Sequence, residues 1–129
     1  TSIYGLYGRA AEFDNEMPWT LAPAFEEAHG EVDMSTPFNF VSTNDITGGN
    51  SGSPVLDASG RIVGLNFDRN VEGLGRDFIF LPDRGRNIMV DVRAIKEAMD
   101  KIYDADRIVQ EILTHRLFRT EAEADAAGR

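Results

Sequence analysis

The chain has 129 residues with 22 acidic and 13 basic side chains, a formal net charge of −9 and no cysteine. This length is enough for one hydrophobic core, and the lack of cysteine excludes disulfides and thiolate chemistry. The acidic balance, without any run of Lys or Arg, argues against a nucleic-acid partner, and no apolar run is long enough to predict a membrane span.

The first part of the chain predicts one strand and one short helix. Residues 1–9 alternate loosely between apolar and other side chains, which favours a strand. Residues 22–29 predict a helix, because Pro23 fits its first turn and Gly30 fits its C-terminal end.

The middle of the chain predicts β-strands on both sides of a glycine-rich loop. Residues 37–43 alternate with a period of two and lead into that loop. Two apolar arms joined by a Gly-containing turn at residues 57–60 predict a hairpin after it. The strands predicted after the loop are 54–57, 61–67, 77–81 and 87–92.

Helical spacing replaces this alternation after Arg93. Apolar residues recur at helical intervals, with a break or a new cap near Asp104 and Asp106. This pattern predicts a C-terminal helical segment whose apolar stripe is core packing rather than a cofactor site. Residues 119–129 contain no large apolar side chain, which predicts a disordered tail. The predicted organisation is a β portion over residues 1–90, a helical segment over 91–118 and a tail over 119–129.

The loop at residues 48–54 reads Gly-Gly-Asn-Ser-Gly-Ser-Pro and is typical of the nucleophile turn of a trypsin-like serine peptidase. Acyl transfer needs a hydroxyl on a tight, exposed turn, with backbone N–H groups that face the developing oxyanion. Ser51 is therefore the candidate nucleophile, and the N–H groups of Gly49 and Ser51 are the candidate oxyanion hole. Ser53 is the rival, although Pro54 favours an extended backbone there. A glycine-serine loop without chemistry is the alternative, and the hairpin that follows disfavours it.

The stretch from Thr43 to Asn70 resembles the S46 family of bacterial dipeptidyl-peptidases, and the resemblance extends over nearly the whole chain except its end. It implies a fold that is mainly β with a C-terminal helix, namely part of the second β-barrel of a trypsin-like double-barrel serine peptidase. Family members are several times longer, so a C-terminal fragment is expected. The resemblance also implies a periplasmic or cell-surface location. The further segments that carry it are Ile3–Arg9, Phe13–Asn15, Val90–Ile95 and Tyr103–Asp106.

The chain contains two histidines, His29 and His115, and neither precedes the serine at the distance expected of a triad base. Both are interpreted as ordinary histidines. The resemblance implies that the triad His and Asp lie in a missing N-terminal part, so the chain alone is expected to be inactive. No metal or cofactor is implied, and no metal-ligand spacing is present.

Arg69 follows Ser51 by eighteen positions, just past the strand expected to line the substrate pocket. In the S46 family, Gly at this place resembles the dipeptidyl-peptidase 7 group, which prefers bulky apolar residues, and Arg resembles the dipeptidyl-peptidase 11 group, which cleaves after Asp or Glu. A guanidinium suits this preference because it pairs with a carboxylate in a bidentate geometry. The alternative is an Arg that faces solvent or pairs with Asp68 or Glu72.

Asp68 matches an Asp that, in the family, helps to hold the ammonium group of the substrate. A structural ion pair with Arg69 is the alternative.

Asp45 lies six residues before Ser51, at the position where trypsin carries the Asp that selects basic residues, but the family carries Asp here irrespective of preference. A structural role in the loop is the simpler interpretation. Asn50 replaces the Asp of Gly-Asp-Ser-Gly, so it cannot form an ion pair with a newly cut N-terminus.

The expected partners are peptides with free N-termini. A homodimer is left open, because a cut barrel exposes strand edges. Two alternative functions remain: an S46 peptidase with an apolar preference, and a non-catalytic barrel that serves as a binding module.

Overall fold

The computed structural model describes residues 1–79 and 83–128, and the chain divides into two units. One unit comprises Thr1–Ser2 and Pro37–Ala94, and the other comprises Ile3–Thr36 and Ile95–Arg129. The α-helices are α1 (Ile3–Glu12), α2 (Pro23–Glu27), α3 (Val92–Lys101), α4 (Asp106–Thr114) and α5 (Glu121–Ala127). The strands are β1 (Asn39–Ser42), β2 (Pro54–Leu56), β3 (Ile62–Arg69) and β4 (Asn87–Asp91), and two 3-10 helices cover Ala28–Gly30 and Val71–Asp77.

The first unit is built on a four-stranded antiparallel sheet in the order β1-β4-β3-β2. The register places Val90 opposite both Asn39 and Leu65, and Leu65 opposite Pro54. The edge strands are more exposed than the centre, since Val41 in β1 and Leu56 in β2 are 58% and 56% accessible. The predicted antiparallel strands are confirmed, but the mainly-β description is too narrow, because helices form at both ends of the chain.

The centre of the sheet is close-packed around Gly64. A Cβ atom at this position would lie 2.4 Å from the carbonyl oxygen of Val90 and 2.8 Å from Cε1 of Phe40. Any larger residue would therefore clash with the neighbouring strand, so Gly64 allows the Phe40 ring to lie against β3. On β4 the alternate residues Asn87, Met89 and Asp91 are buried, as expected for a central strand with one covered face.

The predicted hairpin is confirmed as β2 and β3, joined by a turn in which Gly60 has a φ of 79°. Asp57 holds this turn together: it accepts from the N–H groups of Ser59 and Arg61 and from the Arg61 guanidinium. These hydrogen bonds, those of Arg61 first, lower the pKa of the Asp57 carboxyl below its ordinary value.

The strands predicted at 37–43 and 87–92 are confirmed as β1 and β4. Of the strand predicted at 77–81, residues 80 and 81 lie outside the described residues. Residues 77–79 end a 3-10 helix and form a bend, so the strand prediction is wrong for this part. The apolar run there was misleading because Phe78 and Ile79 are exposed rather than buried, at 92% and 64%.

The strand predicted over residues 1–9 is wrong, because this segment forms the helix α1. Its buried residues Ile3, Tyr7 and Ala10 recur at intervals of four and three, which is a helical face. Contacts within the second unit stabilise it: the first N–H groups donate to the carbonyls of Thr36 and Met34. Tertiary contacts thus override the low helix propensity of the two glycines in this segment.

The short helix predicted at 22–29 is confirmed as α2 followed by the 3-10 turn Ala28–Gly30, with Pro23 in the first turn. The Tyr7 hydroxyl donates to the carbonyl oxygen of Phe25 and so joins α1 to α2. The predicted C-terminal helical segment is confirmed and consists of α3 and α4, which are separated near Asp104.

The predicted disordered tail is wrong for residues 121–127, which form α5. Thr120 caps this helix by accepting from the N–H of Glu123, and the Glu123 carboxylate accepts from the N–H of Arg119. The sequence Thr-x-x-Glu is a known helix-start signal, and it outweighs the lack of large apolar residues. The helix packs against α4 and buries Ala124 completely. Within the described residues, no helix has the length and apolar character needed to cross a membrane.

Candidate active site

The loop before β2 forms a tight turn around Ser51. The N–H of Asn50 donates to the carbonyl oxygen of Thr47 at 3.2 Å. The N–H of Ser53 donates to the carbonyl oxygen of Asn50 at 3.0 Å. The Asn50 side chain closes the loop by accepting from the N–H of Thr47 at 2.8 Å. Asn50 is therefore used within its own loop, in agreement with its inability to form an ion pair with a new N-terminus.

Gly49 and Gly52 both have left-handed backbone angles, with φ of 98° and 84°. A side chain would be strained at either position, which explains why glycines flank the turn. Ser51 lies between them, is exposed to solvent, and belongs to a turn rather than to a strand.

The backbone N–H groups of the loop fall into two classes. Those of Asn50, Gly52 and Ser53 donate hydrogen bonds that shape the turn. In residues 1–79 and 83–128, the N–H groups of Gly49 and Ser51 donate to no other residue. These are the same two groups that the sequence predicts as the oxyanion hole, and both are available to a negatively charged oxygen.

Strand β3 holds the turn through Asn66. The N–H of Gly52 donates to the Asn66 carbonyl oxygen at 2.8 Å, and the N–H of Asn66 donates to the Ser53 carbonyl oxygen at 2.9 Å. Ser51 thus directly precedes Gly52, the residue whose N–H is hydrogen-bonded to β3. Because β2 and β3 are antiparallel, the chain before Ser53 and the chain after Asn66 lie at the same end of the sheet.

That end of β3 carries Asp68 and Arg69, which follow a β-bulge at Phe67. The β3–β4 register skips Phe67: Asn66 lies opposite Met89, whereas Asp68 lies opposite Ile88. A bulge changes the direction of the side chains that follow it. The structure therefore brings Ser51, Asp68 and Arg69 to one end of the sheet, as the hypothesis of a shared site requires.

The two candidate substrate-binding residues differ in burial. Asp68 is exposed, and its Oδ1 accepts from the N–H of Arg69 at 2.8 Å. Arg69 is half-buried. Its aliphatic stem lies against Gly73, where a Cβ atom would come within 3.3 Å of Arg69 Cβ and 3.4 Å of Arg69 Cδ. Gly73 thus leaves the room that this stem occupies.

Asn70 orders the segment after Arg69, a role that the sequence analysis missed. Its Oδ1 accepts from the N–H groups of Gly73 and Arg86, at 3.1 and 2.7 Å. Its Nδ2 donates to the Glu72 carboxylate at 2.8 Å and to the carbonyl oxygen of Arg84 at 2.9 Å. An Asn at the end of a strand and before a Gly three residues later is a capping signal that could have identified it.

Asn66 and Asn87 were also missed. Both are buried, at 8% and 0% exposure, and the Asn87 Nδ2 donates to the Asn66 Oδ1. The available signal was the presence of amide side chains at inward positions of two apolar strands, where Val or Ile is usual.

The histidines lie outside the unit that carries Ser51. His29 is exposed in the 3-10 turn Ala28–Gly30, with its ring at 4.8 Å from that of Tyr7 in an edge contact. His115 is exposed at the end of α4, with a left-handed φ of 57°. Thr1–Ser2 and Pro37–Ala94 contain no histidine, so this unit holds no imidazole base for Ser51. Asp45 is exposed in the loop, and its Oδ1 accepts from the N–H of Ile46 at 3.1 Å, which fits a local structural role.

Asp91 is a buried charged residue of this unit, at 5% exposure. Its Oδ1 accepts from the N–H of Arg93 and so caps α3, and its carboxylate forms a bidentate pair with the Arg93 guanidinium at 2.7 and 2.8 Å. The hydrogen bonds from Arg93 outweigh the effect of burial and hold the pKa of the Asp91 carboxyl below its ordinary value. Asp91 and Arg93, with Phe40 and Val63, line a pocket of about 390 Å³. Among the described residues, no cluster of His, Asp and Glu could hold a metal ion.

Comparisons with known proteins show which family the chain resembles. The family model described as Peptidase S46 matches residues 1–114. An Asp/Glu-specific dipeptidyl-peptidase of Porphyromonas endodontalis is 49% identical over 84 residues, which are 65% of this chain and 12% of that relative. Dipeptidyl-peptidase 7 of Porphyromonas gingivalis is 51% identical over 73 residues, or 57% of this chain and 10% of that relative. The chain thus matches less than a fifth of the length of these relatives.

The fold is shared with solved structures of such an enzyme. The crystal structure of Porphyromonas endodontalis DPP11 in complex with the dipeptide Arg-Glu has a TM-score of 0.74 and 33% sequence identity, and the match covers 92% of this chain and 18% of that chain. The structure of the same enzyme in complex with the dipeptide Arg-Asp matches with a TM-score of 0.72 over 87% of this chain.

Proposed function

Because the chain belongs to the peptidase S46 family, we propose that it is the nucleophile-bearing part of a serine-type dipeptidyl-peptidase that removes N-terminal dipeptides ending in Asp or Glu. The observation that carries this proposal is the convergence of Ser51, Asp68 and Arg69 at one end of the sheet. Relatives named Asp/Glu-specific dipeptidyl-peptidase support it.

In the proposed reaction, Ser51 Oγ attacks the carbonyl carbon of the second residue of the substrate. The N–H groups of Gly49 and Ser51 stabilise the resulting oxyanion, since they are free of hydrogen bonds among the described residues. A base must accept the Ser51 proton and pass it to the leaving amine. The unit around Ser51 contains no histidine, so we assign the triad His and Asp to the portion of the relatives that lies beyond this chain.

In this proposal, Arg69 and Asp68 bind groups of opposite charge on the substrate. The guanidinium of Arg69, a residue that is half-buried, pairs with the acidic side chain before the cut, because Arg binds carboxylates with bidentate geometry. Asp68, which is exposed, helps to bind the ammonium group. Together they favour a peptide that has a free N-terminus and an acidic second residue.

An apolar preference is the second candidate, and it is favoured by one observation. Dipeptidyl-peptidase 7 of Porphyromonas gingivalis is as similar to this chain as the acidic-specific relatives are, at 51% against 49% identity. Overall identity therefore does not separate the two specificities. The family resemblance implies that the residue at position 69 separates them, and an Arg at this position favours the acidic specificity. A non-catalytic barrel remains the alternative from another functional class.

The proposal also covers the barrel fold, the cellular location and the oligomeric state. The antiparallel sheet β1–β4 with its nucleophile loop fits the later portion of a trypsin-like second barrel, and α3 and α4 correspond to the helical segment predicted over residues 91–118. We place the enzyme in the periplasm or at the cell surface, as the family resemblance implies. Exposed side chains on the edge strands β1 and β2 are compatible with a homodimer.

The decisive experiment uses the full-length gene product and pairs of chromogenic dipeptidyl substrates that differ only in Asp or Leu at the second position. The proposal expects turnover of the Asp substrate, no turnover when its N-terminus is acetylated, and loss of activity in Ser51→Ala. A preference for Leu would favour the second candidate, and complete inactivity of the folded protein would favour the binding module.

A further inference from the structure

We infer that the buried amide pair Asn66–Asn87 positions the nucleophile turn relative to the specificity residues. This inference rests on the proposed peptidase function and adds two positioning residues to it. The pair lies beneath the site and is not expected to touch the substrate, because Asn66 and Asn87 are 8% and 0% exposed.

The hydrogen bond of this pair crosses the bulge in β3. Asn66 lies opposite Met89 in the β3–β4 register, and Asn87 lies opposite Arg69. The two asparagines are therefore not register partners, yet Asn87 Nδ2 donates to Asn66 Oδ1. The bond joins one side of the bulge at Phe67 to the other.

Each end of this bond fixes one half of the site. On the first side, the backbone of Asn66 holds the turn through Gly52 and Ser53, at 2.8 and 2.9 Å. On the other side, Asn87 pairs in the ladder with Arg69, next to Asp68. The hydrogen bond between the two side-chain amides thus links the nucleophile turn to the strand end that carries the candidate specificity residues.

The energetics point to a role beyond stability. Burying an amide group is costly unless its hydrogen bonds are satisfied, and the Asn87 Oδ1 is buried without a partner within the described part of the chain. Two apolar side chains would fill the same space without this cost. A buried polar contact that is retained at such a cost is suited to specifying one arrangement among several.

The arrangement that needs specifying is the register after the bulge. A shift of one residue along a strand moves each side chain to the opposite face of the sheet. Such a shift after Phe67 would turn Asp68 and Arg69 away while leaving the Ser51 turn on Asn66. The amide pair opposes this shift because its geometry is satisfied only when Asn87 stands opposite Arg69.

The test uses the full-length enzyme with Asn87→Val, which removes the donor but keeps a strand-forming residue. The matched control is Val90→Ala, which loses apolar packing on the same strand without touching the pair. The readouts are kcat and KM for Asp- and Leu-ending dipeptidyl substrates, the rate of Ser51 labelling by an organophosphonate, and the unfolding midpoint. We expect Asn87→Val to lower the Asp-to-Leu ratio of kcat/KM about 10-fold or more, since a misplacement of about 1 Å can cost about 100-fold in rate.

The double variant Asn66→Val/Asn87→Val separates positioning from stability and serves if the single variant does not fold. It leaves no orphaned amide, so its unfolding midpoint should return towards that of the wild type, while the Asp-to-Leu ratio stays low. An unchanged ratio in the double variant, or an equal loss of ratio in Val90→Ala, would overturn the inference. If the wild-type enzyme itself turns over neither substrate, the proposed function fails instead, so the two failures are distinguishable.

Discussion

The Asp68 carboxylate accepts a hydrogen bond from the backbone N–H of Arg69 at 2.8 Å. This contact holds the Asp68 carboxylate against the backbone of the next residue. An acidic and a basic residue thus follow each other in the sequence immediately after a β-bulge. Bulges are frequent next to active sites because they change the direction of side chains.

The isolated 129-residue chain should have no peptidase activity. Its Ser51 unit holds no histidine, and a serine hydroxyl without a base is a poor nucleophile. The measurement is hydrolysis of dipeptidyl substrates together with organophosphonate labelling, each compared with a Ser51→Ala sample of the same chain. Labelling of the wild type well above that control would mean that a base is present, and His29→Ala and His115→Ala would then identify it.

In the full-length enzyme, Ser51→Ala should abolish turnover, whereas Ser53→Ala should retain much of it. Loss of the nucleophile removes the covalent route and costs a factor of about 10⁶ in kcat. The Ser53 backbone is already engaged with Asn50 and Asn66, and these contacts do not need the hydroxyl. Steady-state kinetics of the two variants, with circular dichroism to verify folding, provides the check. The reverse ranking would move the nucleophile by two residues.

The sequence predicted the strands around the nucleophile loop better than it predicted the ends of the fold. The Gly-Asn-Ser-Gly turn is local, and Gly49 and Gly52 adopt positive φ angles that favour glycine, so the turn around Ser51 could be predicted from residues 48–54 alone. The predicted strands around it were right for the same reason, since alternation and turn residues act over short distances.

The errors arise where the decisive contacts are distant in sequence. Helix α1 depends on hydrogen bonds from its first residues to the carbonyls of Met34 and Thr36, which lie 30 or more positions further along the chain. The pair Asn66–Asn87 cannot be recognised without the β3–β4 register. In contrast, α5 was predictable, because Thr120 and Glu123 form a local capping signal that composition alone concealed.

Removal of the charge at Asp91 should destabilise the chain in a pH-dependent manner. The pKa of this carboxyl is lowered in the folded state, first by the hydrogen bond from Arg93. A lowered folded pKa means that the stabilisation is fully present above the unfolded pKa of about 3.9 and is lost as the pH falls through the folded value. Unfolding by urea, followed from pH 7 down to pH 3, should therefore show a smaller loss of stability in Asp91→Asn than in the wild type. The loss that remains in Asp91→Asn comes from other carboxyls such as Asp57, whose pKa is also lowered.

A pair of Asp91 variants separates the charge from the helix cap. Asn can still accept from the N–H of Arg93, so Asp91→Asn keeps the cap and loses the ion pair, whereas Asp91→Ala loses both. We expect Ala to cost about 1 kcal/mol more than Asn at pH 7. Equal stability of all three proteins at pH 7 would show that the pair contributes nothing.

Gly73→Ala should weaken the acidic preference without affecting the chemistry. The added Cβ would lie 3.2 Å from the Asn70 Oδ1 and 3.3 Å from Arg69 Cβ, so the Arg69 stem must shift by a few tenths of an ångström. A shift of this size should lower kcat/KM for an Asp-ending substrate about 2- to 10-fold, with little change for a Leu-ending one. Gly30→Ala, at a position with no atom within 4 Å of the added Cβ, is the matched control. An equal loss for both substrates would argue against a role of this contact in specificity.

Arg69→Gly in the full-length enzyme should reverse the side-chain preference. Loss of a charge-assisted contact costs about 1.5–3 kcal/mol, which is roughly a 10- to 150-fold loss in kcat/KM for an acidic substrate. The loss grows if the substrate carboxylate is left buried without a partner, and the space that Gly opens should admit Leu, Met or Phe. Arg69→Lys, which keeps the charge but not the bidentate fork, should give an intermediate ratio. The measurement is the Asp-to-Leu ratio of kcat/KM at low and high salt, with Arg116→Gly as a control that removes the same charge from an exposed residue. If Arg69→Gly and Arg116→Gly change this ratio equally, Arg69 does not line the pocket, and the assignment of acidic specificity fails with it.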